Sequence, residues 1–436
     1  MPSITRPRPS DTLFGTGRPA IAVPGQRAAG TGARFSVTLL TLLFVLALAG
    51  RFSLDRAGLP TYGIHDLRIP AYALLLLMVL LWQVDRSVNG LARPWPRVFA
   101  LFSMLIALQL ASAFWAPEGA RLQKAGWDLI ALWFLVLVAT VLAAADPRRA
   151  ARTLLVLMLV AALVYALGAL AAGPQGQGRY SAFGGGPNVF VRVISLGIIA
   201  SIGLSVVWRR WWLLLPIPLL VVAAVLSGSR GGLIALVGAG TAYFVVFARR
   251  RLSILLGTLV AGGLAVWAVS YFVDTWFATM VETRYSSTGI QNSDFSARPE
   301  LLRSAWRIFL DHPVLGGGLD SFYATVGIGY PHNYLAGLAA ESGLPALILI
   351  GFTAACWWRD GRPWMSVPKE QLTCAVGAIY VLIAAMFSGD HFDTRFCWIL
   401  AVIAVLRPGP RPDHPGQIKE ATPWQSTVRR HAEFSS

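Results

Sequence analysis

The chain has 436 residues, of which 56% are hydrophobic and only 13% are charged. Soluble domains usually carry about a quarter charged residues, so this composition excludes a protein built mainly from water-soluble domains. The net charge of +16 would suit either a nucleic-acid-binding face or the cytoplasmic loops of a membrane protein.

Long apolar runs predict an all-α integral membrane protein. A bilayer core about 30 Å thick needs roughly 20 mostly apolar helical residues, and long unbroken runs favour helices over barrel strands. Residues 1–34 are rich in Pro, Gly, Ser, Thr and Arg, which predicts a disordered tail. This leader is too long for an ordinary signal peptide, so we expect the first span to remain uncleaved. The twelve predicted spans are 35–50, 69–84, 98–115, 126–145, 153–172, 189–208, 211–226, 231–248, 252–273, 333–357, 371–387 and 394–406.

The basic residues give the predicted orientation. If the N-terminus is cytoplasmic, the outer segments hold equal numbers of basic and acidic residues, and the whole charge of +16 falls on the inner side. This is the positive-inside pattern. It predicts a membrane domain over 35–406, a second polar cytoplasmic tail over 407–436 and no nucleic-acid partner.

The outer turn over residues 227–232, Ser-Gly-Ser-Arg-Gly-Gly, contains a candidate anion-binding residue. Arg230 begins the next predicted helix, where the helix dipole disfavours a cation. A bound anion between Arg230 and the free backbone N–H groups would reconcile the two. The alternative is an interfacial arginine whose charged end reaches water.

A second candidate lies in the long outer loop, residues 274–331. Residues 296–300, Ser-Ala-Arg-Pro-Glu, predict a helix start. The helix that follows has an apolar stripe, predicted to consist of Leu301, Leu302, Ala305, Ile308 and Phe309.

The arginines of this helix are not equivalent. Arg303 and Arg307 are expected opposite the stripe, whereas Arg298 projects along it, towards a packed surface. A cation there needs an anionic partner, which is either a bound anion or a simple salt bridge.

The tenth predicted span, 333–357, provides two further candidates, His332 at its start and Glu341 inside it. His332 opens that span, beside Asn333, and histidine can exchange a proton near neutral pH; a hydrogen-bonded structural role is the alternative. Glu341 is expected on the opposite side of the helix in ideal geometry, although Pro345 could kink it. An acid inside a span needs a partner.

Other polar groups are weaker candidates. Arg192 lies one turn after Asn188 inside the sixth span. The outer segment 390–393, Asp-His-Phe-Asp, could hold a metal, but a polar turn is the preferred interpretation. We therefore predict no metal and no cofactor. The glycine triplets at 184–186 and 316–318 lack the residues of a phosphate loop, and we interpret them as flexible turns.

Three stretches, in the order in which they follow one another along the chain, resemble the O-antigen ligase and polymerase family of bacterial membrane glycosyltransferases. They are residues 227–232, residues 296–318 from Ser-Ala-Arg to His-Pro-Val-Leu-Gly-Gly-Gly, and residues 331–345 from Pro-His-Asn-Tyr-Leu to Ala-Glu-Ser-Gly-Leu-Pro. The resemblance covers roughly residues 180–406. Ala297 stands where the family often has Gly, and Trp306 is displaced from its common place.

The resemblance implies a GT-C-like, metal-independent enzyme in the bacterial cytoplasmic membrane, with its active site on the outer face. It would transfer a glycan from a polyprenyl-diphosphate carrier to a glycan, lipid or protein hydroxyl. By the same resemblance, Arg230 and Arg298 bind the diphosphate and His332 is the base. We add Asn188, Arg192, Asn333 and Glu341 as candidate substrate-binding residues. A twelve-helix secondary transporter or polysaccharide exporter is the alternative function.

Overall fold

The computed structural model describes residues 24–50, 68–85, 95–175, 178–247, 297–362 and 364–407. In these ranges the regular structure is helical, apart from one isolated bridge between Gln175 and Arg179. The helices are α1 Pro24–Ala49, α2 Arg68–Asp85, α3 Arg97–Ala111, α4 Leu122–Ala145, α5 Pro147–Ala172, α6 Pro187–Trp208, α7 Ile217–Leu226, α8 Arg230–Phe247, α9 Ala297–Asp311, α10 Ser321–Val326, α11 Tyr334–Asp360, α12 Lys369–Ala385 and α13 Arg395–Val405.

A helix lies at every predicted span except 252–273, which falls outside the described residues. Among the described residues, five helices are long and apolar enough to cross a membrane, namely α3 with its short extension, α4, α5, α6 and α11. The described part of the chain is thus helical and consistent with a membrane protein, and the total of twelve spans remains a prediction. Helix α1 begins at Pro24, so residues 24–34 of the predicted disordered tail are helical. Proline favours the first helical turn, and no later proline interrupts the helix before the first span.

Helix α6 is the most enclosed of the five apolar helices, because 78% of the residues in its 18-residue apolar stretch are buried. It packs against α5, α7 and α12, and α12 in turn packs against α13. This burial explains why polar residues on α6, including Arg192, can reach protein partners rather than lipid.

Helix α11 is broken one turn before its midpoint, at Gly343. Gly343 adopts φ 66° and ψ −158°, a conformation that is essentially restricted to glycine. Pro345 follows it and has no N–H to donate to the carbonyl of Glu341. The kink expected near Pro345 is therefore present, with its non-helical residue at Gly343.

The glycine triplet 316–318 fills the gap that this break leaves. The N–H of Gly317 donates to the carbonyl of Ala340 at 2.8 Å, and that of Gly318 donates to the carbonyl of Glu341 at 3.1 Å. The N–H of Leu344 donates to the carbonyl of Pro313 at 2.9 Å. These bonds satisfy the backbone groups freed by the break. The interpretation of this triplet as a flexible turn was wrong, because its backbone is a docking surface for α11.

Helix α9 packs on α10 and α11 through its apolar stripe. Leu301, Ala305 and Ile308 are buried as predicted, together with Phe322 of α10 and Ala340 of α11. Leu302, predicted on the stripe, is instead 45% exposed, because it lies at the edge of the stripe that the neighbouring helices leave uncovered.

Candidate active site

Arg230 is positioned by a hydrogen-bonded turn and by close helix packing. Ser227 Oγ accepts a hydrogen bond from the N–H of Ser229 at 3.1 Å, which closes the turn before α8. A Cβ atom on Gly232 would lie 2.3 Å from Val191 of α6, so only glycine allows α8 to approach α6 this closely.

Asn188 ties together three segments of this region. Its Oδ1 accepts a hydrogen bond from Ser229 Oγ at 2.8 Å, and its Nδ2 donates to Ser388 Oγ at 3.0 Å. The start of α6, the turn before α8 and the loop after α12 are thereby joined. The side chain of Asn188 also lines a cavity there, so its position is compatible with both a structural and a substrate-binding role.

This cavity brings four arginines together. It is lined by Arg179, Arg192, Arg230 and Arg298, and none of the described residues on its wall is acidic. Its empty volume, including space open to solvent, is about 600 Å³. Three of these arginines were sequence candidates. An accumulation of guanidinium groups without lining carboxylates is the chemistry of an anion site.

Arg179 was not predicted from the sequence. It lies in a connecting segment without helical periodicity, so no stripe or dipole argument applies to it. Its Nε donates a hydrogen bond to the carbonyl of Ser227 at 2.9 Å. A single arginine in a glycine-rich loop carries no signal that distinguishes it from a solvated loop residue.

Arg192 is held by protein partners on the wall of the cavity. It is buried, it donates to the carbonyl of Ser388, and its Nη1 lies 3.7 Å from Asp393 Oδ2. Asp393 also lies 3.5 Å from Arg395. Arg192 therefore fixes the wall formed by the loop after α12 and has less of its charge available to a ligand.

Arg298 lies at the first turn of α9 and is half-buried, whereas Arg303 and Arg307 are exposed. The predicted contrast between these three arginines is therefore present in the structure. Since α9 packs on α11, the same packing that buries the stripe places Arg298 at the cavity and near His332.

His332 stands just before α11 in a constrained conformation. Its φ of 57° is in the left-handed region, which few non-glycine residues adopt. Its ring meets that of Tyr330 edge-on, with centroids 4.6 Å apart. Nδ1 is buried and meets no hydrogen-bond partner among the described residues. Burial, and then the nearby charge of Arg298, lower the pKa of His332 below its ordinary value. The lowered pKa favours the neutral imidazole, which is the form that can accept a proton.

Asn333 has a structural role at the start of α11. Its side-chain oxygen accepts a hydrogen bond from the N–H of Ala336 at 3.0 Å, capping the helix, and its Nδ2 donates to the carbonyl of Met386 at 3.3 Å. Side-chain caps of this kind stabilise helix starts. The cap also fixes the backbone next to His332.

Glu341 does not join the arginine cavity. Its Oε2 lies 3.0 Å from Nε2 of His391, and Gln109 Nε2 lies 3.0 Å from Nδ1 of the same ring. Burial lowers the pKa of His391, but the hydrogen bond and charge of Glu341, with the charges of Asp390 and Asp128, outweigh burial and raise it overall. The partner that Glu341 needs is thus His391, which sequence analysis considered only as part of a polar turn.

The described residues contain no group of three or more His, Cys, Asp or Glu side chains arranged to hold a metal ion. The segment 390–393 forms a hydrogen-bonded turn, in which Asp390 Oδ1 accepts from the N–H of Asp393 at 3.1 Å. The polar-turn interpretation of this segment agrees with that geometry.

The model of the O-antigen ligase family matches residues 215–351, a range that contains Arg230, Arg298, His332 and Glu341. Searches of curated proteins and of solved structures gave no match. The resemblance inferred from the three motifs is confirmed over residues 215–351, which are similar to the O-antigen ligase family.

Proposed function

We propose that this protein transfers a glycan from a polyprenyl-diphosphate carrier to an acceptor hydroxyl at the outer face of the bacterial cytoplasmic membrane. The observation that carries the proposal is the shared cavity of Arg230 and Arg298 next to His332. Helices distant in sequence bring these side chains together, which supports an anion site beside a base. The match of residues 215–351 to the O-antigen ligase family supports the same class of reaction.

The arginine cavity holds the diphosphate of the donor. Planar guanidinium groups pair with phosphate oxygens in bidentate geometry. Because Arg230 and Arg298 are held by packed helices, they stabilise the negative charge that grows on the leaving group without having to reorganise. The polyprenyl tail of the donor extends into the surrounding bilayer.

The chemical step is a single displacement at the anomeric carbon. The acceptor oxygen forms a bond to C1 as the bond from C1 to the phosphate oxygen breaks, which inverts C1. His332 takes the proton of the acceptor hydroxyl, and the polyprenyl diphosphate leaves with the electron pair of the broken bond. The two arginines supply the charge stabilisation, so no metal ion is required.

A bacterial strain that lacks the gene for this protein provides both substrates for a test of transfer. Membranes of that strain are expected to accumulate the carrier-linked glycan and the unmodified acceptor. Protein reconstituted in proteoliposomes should join the two extracted substrates and release polyprenyl diphosphate, as measured by mass spectrometry. Single repeats on the carrier would identify a polymerase, and long carrier-linked polymer would identify a ligase.

The transporter alternative predicts the opposite result in the same preparation. Movement of the carrier-linked glycan or of a solute across the proteoliposome membrane, with no covalent transfer, would overturn the proposed function.

The matched control for the transfer assay is Arg307→Gln. Arg307 is an exposed arginine on α9, so this variant should transfer the glycan at the wild-type rate.

A further inference from the structure

Helix α9 carries a second apolar face beside the stripe that packs on α10 and α11. We call it the Trp306 face; it consists of Leu302, Trp306 and Leu310, and the last two are 53% and 57% exposed. At about 100° per residue these three side chains lie within about 80° of one another. The ring of Trp306 also contacts that of Phe309, with centroids 5.1 Å apart. A contiguous exposed apolar surface of this kind indicates an interaction site.

The remaining side of α9 is charged. Arg303, Arg307 and Asp311 are all exposed, and at about 100° per residue they follow the Trp306 face around the helix. The helix therefore has three sides, of which one packs on protein, one is apolar and exposed, and one is charged. Tryptophan and leucine on one exposed side with arginines on the next are typical of a helix that lies in the surface of a membrane.

The segment that follows α9 lies at the end of a membrane span. The apolar helix formed by α3 and its short extension ends at Trp115, and the neighbouring Phe114 is 93% exposed. Aromatic side chains at the end of a span favour the level of the lipid headgroups. The N–H of Leu319 donates to the carbonyl of Ser112 at 3.2 Å. The chain that leaves α9 is therefore held at the level where this span meets the membrane surface.

The lipid-facing side of α11 leads to the same place. Leu344, Ile348 and Phe352 are exposed and lie one turn apart on a helix apolar enough to cross a membrane, so they form a stripe that faces acyl chains. The N–H of Leu344 donates to the carbonyl of Pro313 at 2.9 Å, and the next residue, Val314, is exposed. The apolar surface of α11 therefore continues onto the segment that leads back to α9.

We propose that the Trp306 face lies in the surface layer of the bilayer, among the upper acyl chains of the leaflet on the side of the arginine cavity. Bilayer lipid is the partner, because the face continues the lipid-facing surface of α11 and the segment after α9 is held at the headgroup level. Arg303 and Arg307 extend from the charged side to water and to the lipid phosphates, which complement their charge.

This location has a consequence for the arginine cavity. Arg298 stands in the first turn of α9, so a helix held in the bilayer surface keeps this guanidinium near the level of the lipid phosphates. A diphosphate whose polyprenyl tail lies in the bilayer would meet Arg298 without leaving the membrane surface. The consequence rests on the proposed function, whereas the location of α9 does not.

Fluorescence quenching in nanodiscs tests the location. Trp306→Cys and Leu310→Cys carry an environment-sensitive thiol probe on the Trp306 face, and Arg307→Cys and Asp311→Cys are the matched controls on the charged side. The three native cysteines are buried and free, and labelled wild type gives their background. One quencher is a phosphatidylcholine with a nitroxide near the top of its acyl chain, because such helices lie about 5–10 Å into the headgroup boundary. The other is aqueous iodide.

Probes on the Trp306 face should lose most of their fluorescence to the nitroxide lipid and little to iodide, and the control probes should show the reverse. Quenching of all four probes by iodide alone would place the face in water and overturn the proposal. Probes on the Trp306 face that neither quencher reaches would show that protein covers it, either the segment 248–296 or a second copy of the chain. That result would also overturn the proposal.

Crosslinking of the wild-type protein tests the same location without any substitution. Nanodiscs of phosphatidylcholine and phosphatidylglycerol would carry a lipid with a diazirine near the top of its acyl chain, and the crosslinked residues would be identified by tandem mass spectrometry. Crosslinks are expected at Trp306 or Leu310 and not at Arg307 or Asp311. Crosslinks on α3 and α11 with none on α9 would overturn the proposal. Neither measurement depends on glycan transfer, so a protein that transfers nothing would overturn the proposed function alone.

Discussion

Arg230 at the start of α8 and Arg298 at the start of α9 line one cavity. The two positions share a feature, since each arginine stands at a helix N-terminus, where free backbone N–H groups favour an anion and disfavour a cation. A diphosphate between them would be stabilised by both side chains and both helix ends.

The three arginines of α9 should differ sharply in their contribution to transfer. Arg298→Ala should abolish transfer, because Arg298 lines the cavity, while Arg303→Ala and Arg307→Ala should keep it near the wild-type rate, because both side chains are exposed. The measurement is transfer by reconstituted variants at equal protein levels. Comparable losses in all three variants would show that the orientation of α9 does not govern the site.

The pH dependence of kcat/KM should report a base with a lowered pKa. Burial and Arg298 lower the pKa of His332 from its ordinary 6.5, so the neutral, active form persists below that pH. Activity should be constant near pH 7 and fall only as the pH drops through a midpoint below 6.5, since protonation removes the base. The residual activity of His332→Gln should lack this acidic limb. A wild-type midpoint above 6.5, or the same limb in the variant, would contradict the assignment.

The lowered pKa of His332 also predicts that the folded protein loses stability as the pH falls below 6.5. Below its ordinary pKa the unfolded chain binds a proton at His332 that the folded chain resists, so stability rises with pH in this window. The contribution of His332 is present above pH 6.5 and is lost as the pH falls below it. Thermal unfolding of wild type and His332→Gln between pH 5 and 7, compared as a difference, measures it.

The break in α11 should tolerate no side chain. Gly343→Ala places a Cβ 2.5 Å from the carbonyl oxygen of Val314 at φ 66°, so we expect a loss of about 3 kcal/mol or more in stability, together with loss of transfer. Gly351→Ala lies on the same helix with open space around it. Thermal unfolding should show this control unchanged or more stable by about 0.5–1 kcal/mol. Equal stability of the two variants would mean that the glycine turn does not dock as described.

Transfer should persist in a chelator. The proposed mechanism uses arginines for charge stabilisation, and the described residues contain no metal-binding cluster. Purified protein treated with EDTA should therefore keep its full rate. Loss of activity with rescue by Mg²⁺ or Mn²⁺ would make Asp390 and Asp393 candidate ligands.

The sequence predicted those features that depend on local periodicity. Apolar runs located the helices, and the stripe on α9 separated Arg298 from Arg303 before any tertiary contact was known. Features that depend on contacts between distant segments were missed. The pairing of Glu341 with His391 joins α11 to the loop before α13, and the docking of the glycine triplet needs the broken helix as its partner. Arg179 was missed because a loop residue has no periodicity that reveals its neighbours.

The most direct test of the account compares donor binding with turnover in two variants of the purified protein. Arg230→Gln should weaken donor binding and slow transfer together, because a diphosphate ligand acts in both the ground state and the transition state. His332→Gln should leave donor affinity nearly intact and lower turnover by about 10²- to 10⁴-fold, as for a lost general base. Turnover of His332→Gln near the wild-type rate, or donor affinity unchanged in Arg230→Gln, would contradict the account.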